Sequence, residues 1–181
     1  MDHEGSAGAD EGRTGGPGTA GDPQFAAARL KERIYATITI ISVVIGLRSA
    51  AHVGPAGAAS ALATTAVGLW LAAIVADQQA HRVVHGRLAG GRELRGILAV
   101  SSPLLLSAVG PLVLVGAAAL GVMSVGTALL AAAVVSVTGL FVWGCYGGVR
   151  MGGGVVAALL AGALDAAIGL AVALVKASAG H

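Results

Sequence analysis

What this chain lacks most is charge. Only 11% of its residues are Asp, Glu, Lys or Arg, and a run of 54 residues, Gly96 to Val149, contains none of these and no His. As one helix that run would be about 80 Å long, against a bilayer hydrocarbon core of about 30 Å. The run therefore has to cross a membrane and fold back. A soluble domain is excluded, because its surface helices need a polar face. Aromatic residues are scarce at 3%, and a single cysteine, Cys145, rules out an internal disulfide or a multi-cysteine metal site. Lysine is nearly absent, with two against nine arginines. The net charge of +2 is too small to point to nucleic acid.

What is present is hydrophobic and small. Apolar residues make up 56% of the 181, mean hydropathy is +0.84, and Ala, Val and Leu are joined by 29 glycines. Such side chains give smooth helix surfaces that let backbones approach closely. The expected fold class is all-α, a polytopic membrane helix bundle of about five transmembrane helices with a disordered N-terminal tail. Residues 1–22 carry Gly, Ala, Asp and Glu without apolar periodicity and bury too little to fold. They start acidic, without the apolar core of a secretory signal. Asp22-Pro23 suits a helix start, since Asp caps free N–H groups and Pro at the first position loses none.

Five spans are expected, at about 34–53, 57–76, 96–118, 123–146 and 154–175. Gly54-Pro55 breaks the first from the second, a polar connection runs from Asp77 to Arg95, and a link from Gly147 to Gly153 holds Arg150. A short tail, 177–181, closes the chain. With the N-terminus in the cytoplasm, the inner side carries Arg29, Lys31, Arg33, Arg82, Arg87, Arg92, Arg95 and Arg150, and the outer side only Arg48 and Lys176. The excess of positive residues on cytoplasmic loops favours that orientation. Tyr35, Trp143 and Tyr146 then fall near the inner interface.

Two groups of residues could carry chemistry. Asp165 stands at the centre of the fifth span, where an ionised carboxylate costs about 2.5–3.5 kcal/mol on insertion scales. It needs a proton, a partner or water, and reads either as an ion or proton site or as a neutral carboxyl bonded to a neighbouring helix. Thr39 and Ser42 in the first span, and Thr64 with Thr65 in the second, are the hydroxyls expected to reach it. Gly162 and Gly169 lie on its helical face and would let another backbone come close. The second group is Asp77, His81 and His85, spaced i, i+4, i+8 on one helical stripe. Two His at that spacing can hold a divalent ion, although Arg82 and Arg87 oppose it and a solvated helix extension explains the same residues. Gly154, Ala158, Gly162 and Ala166 form a small-residue ladder, a packing seam before it is a pore. No nucleophile elbow, phosphate loop or strand-borne dinucleotide fingerprint occurs, so no enzymatic activity and no cofactor are expected.

The stretch Leu30-Lys31-Glu32-Arg33-Ile34-Tyr35-Ala36-Thr37-Ile38-Thr39 resembles the start of small integral membrane proteins common in actinobacteria, which lead into their first span with a similar Glu-Arg-Ile-Tyr. Gly68-Leu69-Trp70-Leu71-Ala72, running on to Ala76, is similar to their second span. The resemblance covers under a quarter of the chain and implies a bacterial plasma membrane. The partners expected are the lipid bilayer and a second copy or another membrane protein, not nucleic acid. The functional expectation is a small ion- or proton-linked transporter component using Asp165, or a non-catalytic scaffold that assembles through its Gly/Ala seams.

Overall fold

The structure, a computed structural model, describes residues 23–50, 52–150, 152 and 154–178. It is all-helical there: α1 (Pro23–Ser49), α2 (Pro55–His85), α3 (Gly91–Ala119), α4 (Val125–Arg150) and α5 (Gly154–Ser178). The expected tail over residues 1–22 and its Asp22 cap lie outside the described residues. Short connections force each helix to run back beside the one before it. The ends at Pro23, His85, Gly91, Arg150 and Gly154 therefore share one end of the bundle, which gathers the eight cations assigned to the inner side.

Helix starts and stops follow local chemistry. Pro55 opens α2, where its missing N–H costs nothing, and α2 closes on Gly86 in the left-handed region (φ 68°). Ser124 caps α4, its Oγ accepting from the Thr127 N–H at 3.1 Å. Pro103 and Pro111 lie inside α3 without ending it. Pro103 cannot donate to the Ala99 carbonyl, but the Ser102 hydroxyl does so at 3.0 Å. In a membrane such a side chain re-satisfies the freed backbone group.

Phe25 to Arg33, expected either to lie along the membrane surface or to run straight into the first span, is one continuous helix with it. Other expected boundaries shift. α2 runs nine residues past Ala76, so most of the supposed Asp77–Arg95 connection is helical. α4 continues to Arg150, so Gly147 and Gly148 belong to a helix and not to a turn. The reason is the same in each case: a polar residue ends a membrane crossing without ending a helix.

Four helices, α2 to α5, are long and apolar enough to cross a membrane. α1 falls short by that measure because its uncharged stretch, Ile34 to Leu47, is bounded by Arg33 and Arg48 and spans only about 21 Å. Yet α1 is the helix that packs against each of the other four, while α2, α3, α4 and α5 adjoin in chain order around it. Ala36, Ile40, Ile41 and Val44 of α1 are fully buried. Ile40 and Val44 join Leu62, Val115 and Leu129 in the main core, and Ile41 joins Leu140 and Ala173 in a second. The least apolar helix is thus the axis of the bundle.

The tightest packing is between α4 and α5. A Cβ added at Gly148 would stand 2.6 Å from the Ala158 Cα, and one at Gly144 would stand 2.7 Å from the Gly162 Cα. At Gly162 an added Cβ would meet Cys145 Sγ and, at 2.6 Å, the Phe141 carbonyl oxygen. Of the expected α5 ladder, Ala158 and Gly162 lie in this seam, whereas the space beside Gly154 is open.

Candidate functional site: Asp165 and the charged end

Asp165 is half-buried in the α4–α5 seam. A Cβ on Gly144 would lie 2.7 Å from its Oδ2. Gly144 follows Trp143, whose indole carries the Arg33 guanidinium 4.4 Å from its ring centroid. Successive residues on a helix point about 100° apart. The carboxyl and the guanidinium therefore meet different faces of α4.

The hydroxyls expected to serve Asp165 do not. Thr39 donates to the Tyr35 carbonyl at 3.1 Å, Ser42 to Ile38 at 2.9 Å and Thr65 to Ala61 at 2.8 Å. Thr64 is exposed. A hydroxyl in a helix has a carbonyl of its own within reach, and that local bond wins over a distant partner. Thr39 has a second neighbour, the Lys176 ammonium at 3.3 Å, which also lies 5.4 Å from the Tyr35 ring centroid. A helical side chain leans toward its own N-terminus, and Lys176 does so here instead of extending outward.

At the opposite end of α1 the α2–α3 connection is stiffly built. The Gln78 amide brackets Ala89, donating to its carbonyl at 3.2 Å and accepting its N–H at 2.9 Å. Arg87 grips Glu93 with two bonds of 2.7 and 2.6 Å, the planar fork that a carboxylate matches. This pair raises Arg87 above its ordinary value and holds Glu93 down at about 2, chiefly through the Arg87 hydrogen bonds. Asp77, at the foot of α2 beyond the apolar run, moves the other way: burial raises it first, nearby Glu32 next, and Lys31 opposes both.

The two shifts have opposite consequences for pH. Glu93 is depressed from an ordinary 4.5, so its stabilisation is complete above that value and is lost as pH falls toward about 2. Asp77 is raised from 3.8, so its contribution is greatest below that value and is lost as pH rises through the folded one. Glu93→Gln should therefore flatten the acid limb of a stability–pH profile below pH 4.5, measured by unfolding in detergent. Asp77→Asn should leave that acid limb in place.

The side chains at this end fall into two cavities. One, of about 500 Å³, lies among α1, α2 and α3 and is lined by Asp77, His81, His85 and Glu93 along with Phe25 and Ile97. The His81 and His85 rings stack 4.2 Å apart. Among the described residues His81 Nε2 is buried without a hydrogen-bond partner, 3.5 Å from Glu93 Oε2, and His85 Nδ1 turns to the His81 carbonyl at 3.3 Å. The Asp77, His81 and His85 stripe thus shares one cavity. However, among the described residues no three His, Cys, Asp or Glu side chains converge as a metal site. Glu93, which completes this acidic and imidazole wall, carried no signal in the spacing because it comes from another helix.

The second cavity, of about 530 Å³, lies among α1, α3 and α4 and is lined by Arg29, Arg33 and Arg150 with Leu30, Trp143 and Tyr146. Phe25 touches both cavities. Neither cavity is lined by Asp165. The cavity on one side of the α1 N-terminal segment is thus lined by carboxylates and imidazoles, and the cavity on the other side by guanidiniums.

Comparison of the chain with protein-family models, with curated proteins and with solved structures gave no match.

Proposed function

We propose that this chain is a multi-pass plasma-membrane protein of bacterial type whose α1 N-terminal end faces the cytoplasm and whose role is assembly in the membrane, not catalysis or transport. The carrying observation is the place of Asp165. Its carboxyl packs against Gly144 in a helix–helix seam, outside both large cavities. A carrier would need its ionisable group in a water-filled path, because a charged carboxylate is costly without water or a partner. Here the intramembrane carboxyl serves the α4–α5 contact, and the polar surface of the molecule is concentrated at one end.

Five crossings are supported by α1 lying in the midst of four helices of membrane-spanning length, with Arg33 and Arg48 at the limits of its apolar stretch. Both arginines are long enough to snorkel to the interfaces. The inward orientation rests on the eight cations gathered at one end against Arg48 and Lys176.

Proton and cation flux through the purified protein in liposomes tests this reading. Wild type and Asp165→Asn should both match empty liposomes. Flux that disappears in Asp165→Asn would replace the assembly reading with transport.

A further inference from the structure

From the cavity among α1, α3 and α4, we infer that the protein holds the phosphate of an anionic membrane phospholipid between Arg29, Arg33 and Arg150, with Trp143 and Tyr146 as its aromatic frame. Among the described residues, three guanidiniums line this cavity and no carboxylate does. Each is steadied by a ring instead of an acid. Arg33 stacks on Trp143 at 4.4 Å, Arg150 on Tyr146 at 5.2 Å, and Arg29 on Phe25 at 5.9 Å. Cation–π contacts of this kind orient a guanidinium without neutralising it, so the positive charge stays available to an incoming anion.

Hydrogen-bond accounting agrees. Arg150 Nη2 and Nε both donate to the Tyr146 hydroxyl oxygen, at 2.7 and 3.2 Å. With that oxygen accepting from arginine, the hydroxyl hydrogen is free to donate, and a phosphate oxygen is a matching acceptor. Arg33 is pushed below its ordinary value, by burial first and by neighbouring Arg29 second. Burial works against the Arg33 charge itself and Arg29 against a second like charge beside it, and a bound anion offsets both.

The surroundings select a lipid over a free anion. The same cavity has apolar walls in Phe25, Leu30, Pro103 and Trp143, and Pro103 belongs to the charge-free part of α3. A headgroup seated on the arginines would have its glycerol and first methylenes against those walls. Inorganic phosphate would leave them wet. Basic pockets between membrane helices are suited to anionic headgroups, and each Lys or Arg near the surface is worth about a fivefold gain in affinity. The acidic and imidazole cavity on the other side of α1 offers no such site.

The test is native mass spectrometry of the full-length protein in detergent, titrated with phosphatidylglycerol, phosphatidylcholine or inorganic phosphate. Wild type should retain phosphatidylglycerol in preference to phosphatidylcholine. Arg150→Gln, an exposed change at a helix end, should weaken retention about fivefold. Arg33→Gln with Arg150→Gln should weaken it about 25-fold. Arg95→Gln, outside the cavity, should bind as wild type, and Arg33→Lys should retain part of the binding, showing that the site survives as a fold. Equal retention of phosphatidylcholine, displacement of the lipid by millimolar inorganic phosphate, or wild-type binding by Arg150→Gln and the double variant would each overturn the assignment.

Discussion

Gly162→Ala is expected to destabilise the bundle by about 1–3 kcal/mol, the usual cost of overpacking a tight core, and Gly162→Val by more. The added Cβ would face the Phe141 carbonyl oxygen at 2.6 Å and the Cys145 N at 3.1 Å, and backbone atoms cannot swing aside as a flexible side chain can. Gly148→Ala should behave alike, since its obstacle is the Ala158 Cα at 2.6 Å. Gly68→Ala is the control. Nothing lies within 4 Å of its Cβ position, and alanine favours a helix by about 0.5–1 kcal/mol, so this variant should match or exceed wild type. Unfolding in mixed micelles would separate the two classes. If Gly162→Ala and Gly68→Ala shift stability equally, α4 and α5 are not packed at backbone distance.

Larger still should be the loss on truncating the centre of α1. Ile40→Ala and Ile41→Ala each remove a fully buried side chain, at an expected cost of about 2–5 kcal/mol. Ile40 fills the main core with Leu62, Val115 and Leu129, and Ile41 fills the second with Leu140 and Ala173. The two residues point in different directions from one helix, which only a surrounded helix needs. Val113→Ala on α3, 65% exposed, removes methyl groups that face outward and should cost little. Equal effects at Ile41 and Val113 would mean that α1 lies on the outside of the bundle.

The number of helices could be read from the chain, because apolar stretches too long for one crossing, such as the uncharged run of Gly96 to Val149, have to fold back. Several helix limits could not, since α1, α2 and α4 continue past the polar residues that close their apolar runs. Half of the tight seam was also legible: Ala158 and Gly162 on α5 follow the small-residue spacing. The other half, on α4, was hidden because Gly148, in a glycine pair near an arginine, looks like part of a turn, which leaves Gly144 alone in the expected fourth span without its partner four residues on. The partners of Asp165 were beyond sequence reasoning for a different reason. Spacing shows which hydroxyls share a face, but not that Thr39, Ser42 and Thr65 each prefer the carbonyl one turn back in their own helix. Nor could spacing show that Glu93 would meet His81, or that Arg33 and Arg150, 117 positions apart in sequence, would line one cavity. The first contact comes from the return of α3 along α2, and the second from α1 lying against α4.

A crossing of the membrane by α1 through the middle of the other four helices is tested by labelling single cysteines placed on either side of it, at Gln24 and at His52, in a Cys145→Ser background. With an impermeant maleimide, the cysteine at position 52 should react in intact cells and the one at position 24 only after lysis. Reaction of both from the same side would mean that α1 enters and leaves the bundle without crossing.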